Sequence, residues 1–300
     1  MCYTFTKDQK RYFLALRFGK GEKGMKKVLK TVAVVLFIAF VAITVLIANA
    51  FFGNPISKAL AQNTAQKYVE ATYGNTDYEL GEITYSFKDG YYYAYVYSPS
   101  SIDTHFSLAI DAFGKLSHDY FADYVTTGRN TIYRLEMDYR QAVEAVFQSE
   151  SFPYDTHIAF GELVYVFEAD REAYDVADYA IIVDELPLDV VCDVNELGTQ
   201  AGQLTVYIWD DTVSAARLAE ILLDIRTSFD NAGIGFYTID CILEHPREEN
   251  TLYDGERFEV MNFPYSDIYE EGLVERVEES NKAVKKHYQE QDAQKYQEQI

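Results

Sequence analysis

The chain has 300 residues, 48% of them apolar and 26 of them tyrosine, with a formal net charge of −22. That apolar content excludes a disordered chain, and the length allows one or two domains with real cores. The charge is uneven: residues 1–30 hold nine Lys/Arg against two acids, whereas the other 270 hold 17 against 46, a net −29. A body that acidic repels phosphate backbones, which excludes nucleic acid as its partner.

Residues 1–30 form a basic segment expected to lie in the cytoplasm. Within it Met25 reads as a translation start, because "MKKVLKTVAVV" has the basic-then-apolar layout of an export signal. The preceding "GEKG" can be encoded by a purine-rich, ribosome-binding type of stretch, so residues 1–24 are expected not to be translated. Residues 31–52, "TVAVVLFIAFVAITVLIANAFF", contain no charged side chain. As a helix of about 1.5 Å per residue they span about 33 Å, the thickness of a bilayer's hydrocarbon core. Lys26, Lys27 and Lys30 precede this run, which predicts a single-pass signal anchor in the cell membrane, with residues 53–300 outside. Ala48-Asn49-Ala50 resembles a cleavage site, but the run exceeds the about 7–15 apolar residues of a cleaved signal, so the anchor is expected to persist. The lipid bilayer is thus the expected partner of residues 31–52.

The remainder reads as α+β, in two small domains at 53–128 and 129–265, followed by a C-terminal helix and polar tail at 266–300. Asn54 and Pro55 start a helix as side-chain cap and first-turn proline, and Gly74 stops it. Four strands follow in a meander. Residues 78–87 alternate with Ile83, Tyr85 and Phe87 on one face, and 88–90 make a tight turn. Residues 91–98 set Tyr91, Tyr93, Tyr95 and Tyr97 against Tyr92, Ala94 and Val96, and residues 104–111 and 116–124 complete the sheet. In the second domain the spacing predicts a helix over 130–148, with Leu135, Tyr139, Ala142, Val143 and Val146 on its stripe. Strands are expected at 158–167, 179–183, 188–194 and 204–209, then a helix over 213–231 capped by Asp211 and ended by Gly233. Further strands are expected at 234–243 and 258–261, making a mixed sheet, and a last helix starts at Ser266. The tail "QEQDAQKYQEQI" is expected to fray.

The stretch "SPSSIDTHF" (98–106) holds the residue types of a serine hydrolase. Neighbours on extended chain cannot converge, however, and no Gly-x-Ser-x-Gly or Ser-x-x-Lys pattern occurs, so it reads as a strand connection. The histidines His105, His118, His157, His245 and His287 lack metal-ligand spacing, and no phosphate-cradling glycine loop is present. No catalytic residue, metal or cofactor is therefore expected. Cys192 and Cys241 read as two separate thiols. The tyrosine stripe either packs beneath a helix or the second domain, its commoner use, or faces a glycan or peptide. In that second case Tyr93, Tyr95 and Tyr97 are the binding candidates.

Four stretches, "NPISKALAQNTAQKYVEATYGNTDY", "YSFKDGYYYAYVYSPSSIDTHFSL", "ELGTQAGQLTVYIWDD" and "DIYEEGLVE", resemble the YfjL-like family of membrane-anchored extracytoplasmic proteins of Gram-positive bacteria. The resemblance spans most of residues 54–275. It implies an anchored protein with two small α+β domains, and it carries no activity or site residues to transfer. The expected function is a non-enzymatic binding or regulatory module for a protein or cell-envelope component. The alternative is an envelope hydrolase acting through a pair of Asp/Glu carboxylates.

Overall fold

The computed structural model describes residues 7–173, 176–246 and 257–298, with side chains from Lys27 to Lys295. Cys2 and the last two residues of the polar tail lie outside the described residues. The first helix, α1, runs over Lys7–Phe52. Its apolar part has a mean hydropathy of 3.0 over 18 residues and none of that window is buried, so it is long and apolar enough to cross a membrane. An unburied apolar helix has no core of its own to join, and hydrocarbon is the solvent that suits it.

The chain divides into two compact units, the first comprising residues 1–96 and 107–119, the second 97–106 and 120–300. In the first unit, helix α2 spans Pro55–Tyr73, and Asn54 caps it by accepting the Ser57 N–H at 2.8 Å. Its buried residues Ser57, Ala61, Ala65 and Val69 recur at four-residue spacing, one stripe of a helix. Strands β1 (Glu79–Tyr85), β2 (Tyr92–Tyr97), β3 (His105–Ile110) and β4 (Leu116–Asp119) form a sheet in that order. Its core face carries Ile83, Tyr92, Ala94, Val96, Leu108 and Ile110. The small alanines of α2 let the helix approach the sheet closely. At the far end Tyr68 and Tyr73 both donate to Asp119 Oδ2, at 2.9 and 2.7 Å. Burial and then the Asp119 carboxylate raise both phenols above their ordinary range.

Two expectations for this sheet are corrected. Phe87 does not share the Ile83 face; it sits in the β1–β2 turn and is 59% exposed, because β1 ends at Tyr85. The fourth strand stops at Asp119 instead of reaching residue 124. Beyond it Phe121 packs edge-on against Phe106, and Ala122–Thr126 close a π-type turn that buries Val125.

In the second unit, helix α3 (Arg129–Phe147) buries Ile132, Leu135, Tyr139, Val143 and Val146, while Ala142 is only half-buried. The chain then forms β5 (Thr156–Leu163), β6 (Tyr165–Val166) and β7 (Ile181–Ile182), the last two a parallel pair. Helix α4 (Val194–Ala201) follows, then β8 (Gly202–Trp209), α5 (Ala215–Ala232), β9 (Thr238–Glu244), β10 (Arg257–Pro264) and α6 (Leu273–Glu298). The main sheet has the order β10-β9-β8-β5. The β8–α5–β9 crossover makes the central pair parallel, and both outer pairs are antiparallel. Leu204, Val206 and Ile208 of β8 and Ile239, Cys241 and Leu243 of β9 face a core shared with α3 and α5.

Here too the elements differ from expectation. Residues 188–194 form no strand: Asp189 takes a left-handed conformation (φ 59°), and Asp193 caps α4, accepting the Asn195 N–H at 2.8 Å. The 158–167 strand breaks at Val164, and the strand expected from 234 begins at Thr238. The cap of α5 is Ser214, whose Oγ accepts the Arg217 N–H at 3.2 Å, and not Asp211. Helix α6 begins at Leu273 because a 3₁₀ turn at Tyr265–Asp267 and left-handed Gly272 intervene after Ser266. It remains helical through Glu298, where the tail was expected to fray.

Candidate functional site

Strand β2 separates its tyrosines cleanly. Tyr92 points to the α2 side, where its hydroxyl accepts the Asn54 N–H at 2.8 Å and lies 3.2 Å from the Asn54 carbonyl it donates to. Successive strand residues face opposite ways, so Tyr93, Tyr95 and Tyr97 occupy the other face. The stripe therefore does not pack beneath α2. Tyr95 is 42% exposed, and Tyr93 and Tyr97 are half-buried. The Tyr93 hydroxyl donates to Asp89 Oδ2 at 2.7 Å, back to the turn that precedes its own strand. That bond, with the Tyr91 N–H, holds the Asp89 carboxyl below the usual carboxylate range. The face presents aromatic rings, and stacking on such rings is one way that flat surfaces grip sugars and peptides.

The 98–106 segment is a structural clasp. The Ser98 N–H donates to the Thr104 carbonyl at 2.9 Å and closes the β2–β3 connection. Asp103 is 1% exposed, and Arg134 of α3 grips it twice, Nε to Oδ1 at 2.7 Å and Nη2 to Oδ2 at 2.8 Å. The Asp189 N–H adds a third donor at 3.0 Å. In return Asp189 Oδ1 accepts from the Asp103 N–H and from the Ser101 hydroxyl, each at 2.9 Å. Asn130 Nδ2 satisfies the carbonyls of Asp103 and His105. Burial acts to raise the Asp103 carboxyl, but Arg134 and the Asp189 N–H outweigh it and hold the group below its ordinary value. Ser101 thus has Asp189 and Thr104 as partners, and burial pushes the His105 imidazole down. Arg134 and Asp189 were not legible as partners of this loop.

The face of the main sheet opposite its shared core is acidic. Asp240, Glu244 and Glu259 are all buried there. Asp240 Oδ1 accepts the N–H of Asn262, a left-handed residue (φ 49°) in the β10 bulge, and its Oδ2 accepts from Gln203 at 3.1 Å. Burial nonetheless leaves its carboxyl above the ordinary range. Glu259 pairs with Arg257 at 3.2 Å. Glu244 Oε1 lies 3.2 Å from His157 Nε2, without hydrogen-bond alignment, and the imidazole stacks on Trp209 with centroids 4.5 Å apart. Arg257 lies opposite Glu244 and Glu259 opposite Ile242, so the two glutamates are diagonal neighbours on one face.

Among the described residues no three His, Cys, Asp or Glu side chains gather as metal ligands. Cys192 and Cys241 are free thiols, and burial raises that of Cys241. A cavity of about 520 Å³ opens where α1 meets the first unit, lined by Phe51, Phe52, Asn54, Lys58, Glu82 and Tyr85 among others.

Fold and surfaces together define a chain with, among the described residues, one helix long and apolar enough to cross a membrane, followed by two α+β units, one built on an antiparallel sheet and one on a mixed sheet. The chain belongs to the YfjL-like family. Residues 25–120 match the YfjL-like N-terminal domain and residues 138–278 the YfjL-like C-terminal domain. No curated protein and no solved structure shows significant similarity to it.

Proposed function

We propose that this protein is a single-pass, membrane-anchored binding or regulatory module, held with residues 53–300 outside the cytoplasm and acting on a protein or cell-envelope component without catalysis. The observation that carries the reading is the pairing of an unburied apolar helix with an aromatic sheet face, on which Tyr95 is 42% exposed. The Lys26, Lys27 and Lys30 cluster supports the cytoplasmic placing of the N-terminus. The start of the matched family domain at residue 25 supports translation from Met25. Photo-crosslinking from positions 93, 95 and 97 in native membranes tests the binding face. A discrete adduct from position 93 or 97, lost on Tyr95→Ala, is expected. Adducts indistinguishable from those of an exposed α2 position such as Lys67 would remove the tyrosines from the function.

The alternative is carboxylate-mediated hydrolysis, for which Glu244 and Glu259 are a diagonal carboxylate pair on one face of the sheet. Each, however, is buried, Glu259 against Arg257 and Glu244 beside the His157 ring, and a general acid–base pair must reach its substrate. Hydrolytic turnover of envelope glycans by the purified chain, abolished by Glu244→Gln, would establish this reading in place of the first.

A further inference from the structure

The end of the first unit nearest α1 is fastened to the helix by specific contacts. The Tyr85 hydroxyl donates to the Ala50 carbonyl at 3.0 Å, and the rings of Phe51 and Phe87 lie 6.0 Å apart. Gly53, left-handed at φ +67°, sits so close to Tyr85 and Tyr92 that a Cβ would collide with both. The β1–β2 turn therefore lies level with the last turn of the apolar run. In an antiparallel meander the first and third connections share one end, so the β3–β4 turn lies at this end too. Thr64 Oγ1 ties that turn to α2 by donating to the Gly114 carbonyl at 2.6 Å.

Apolar side chains are exposed at each of these points: Ile56 at 74%, Phe87 at 59% and Phe113 at 89%. Each is followed within two residues by a lysine, Lys58, Lys88 and Lys115, all exposed. The aspartates of the same turns are used internally. Asp89 accepts from Tyr91 and Tyr93, and Asp111 accepts the N–H groups of Phe113 and Lys115, which poses those two side chains outward. Soluble surfaces avoid clustering large apolar groups in this way, whereas an interfacial surface pairs apolar wedges with lysines that reach up to phosphates.

We infer that this end of the first unit is a second membrane contact: Ile56, Phe87 and Phe113 insert at the level of the phospholipid head groups, and Lys58, Lys88 and Lys115 meet the lipid phosphates. The inference rests on the anchored reading of α1. It makes the first unit a rigid foot on the bilayer surface instead of a body swinging on a tether.

Tryptophan reporters test it in the full chain reconstituted in phospholipid vesicles, with Trp209→Phe to clear the background. Phe87→Trp and Phe113→Trp are expected to be quenched by lipids brominated near the head groups, and Asn75→Trp, beyond the opposite end of α2, is not. Vesicle flotation is scored alongside. A protein that floats while positions 87 and 113 are quenched no more than 75 overturns the foot and leaves the anchor standing. A protein that neither floats nor is quenched overturns both. With anionic vesicles, Lys58→Glu, Lys88→Glu and Lys115→Glu together should reduce the docked population by up to about five-fold per lysine. Unchanged quenching in that variant would remove the lysines from the contact.

Discussion

Asp103 shows how one side chain organises a loop. Its carboxylate is almost fully buried, with the charge of Arg134 and two hydrogen bonds from that guanidinium as compensation. Removing one member of such a pair leaves the other desolvated and underused, so Asp103→Ala is expected to cost about 3–5 kcal/mol in urea denaturation. The pH dependence has a definite sign. The folded carboxyl titrates below its unfolded value of about 3.9, so its contribution is fully present above that value and is lost as pH falls through the lower, folded one. Asp240 works the other way. Its raised carboxyl contributes stability below about 3.9 that is lost as pH rises through the folded value. Urea midpoints across acid pH should therefore lose part of their acid-side slope in Asp103→Asn. Asp240→Asn should gain stability relative to wild type at pH 7 more than at pH 4. The loop itself was legible as a strand connection, because proline, serines and aspartate satisfy turn backbones wherever they occur. Its partners were not, since they lie 31 and 86 residues away and only tertiary register brings them together.

Elements were read correctly where local chemistry decides them and missed where packing does. Asn54-Pro55 caps α2 as expected, and alternation placed Tyr92, Ala94 and Val96 on the core face of β2. Helix α4 was missed because eight residues give too little periodicity, and "LDVVCDV" before it has the apolar content of a strand. Its glycines record the packing that sequence patterns do not. A Cβ on Gly198 would lie 2.0 Å from the Gly235 carbonyl oxygen and 2.6 Å from the Tyr139 ring, and one on Gly202 would meet the Tyr139 hydroxyl. The "LGTQAG" part of the family-like stretch is thus a seat for Tyr139 of α3, whose hydroxyl donates to the Gly235 carbonyl at 3.1 Å. Gly198→Ala is expected to destabilise by at least about 1–3 kcal/mol, the cost of overpacking, because backbone cannot step aside as a side-chain tip can. The cap of α5 supports a sharper contrast. Ser214→Ala should cost about 1 kcal/mol and Asp211→Ala close to nothing, as thermal melts of the two variants will show.

At the scale of the whole molecule, composition decides most. Twenty-two residues without a charge are recognisable as a helix long and apolar enough to span a bilayer whatever surrounds them, so that helix was the most legible feature of the chain. The order of strands in the second sheet was less so, because that mixed sheet places β5 beside β8 and leaves β6 and β7 as a separate pair. The anchored reading also yields a test that is independent of any ligand. Ile38 and Val41 lie in the middle of the apolar run and are 61% and 42% exposed, so changing them disturbs no internal packing. Arginine near the centre of a spanning helix costs about 2.5–3.5 kcal/mol per residue on insertion. Two such costs exceed RT roughly tenfold, so Ile38→Arg with Val41→Arg should move most of the chain out of the membrane fraction that survives alkaline extraction, while the extramembrane units keep their fold. Retention equal to that of the unmodified chain would mean that residues 31–52 are not what holds the protein to the bilayer.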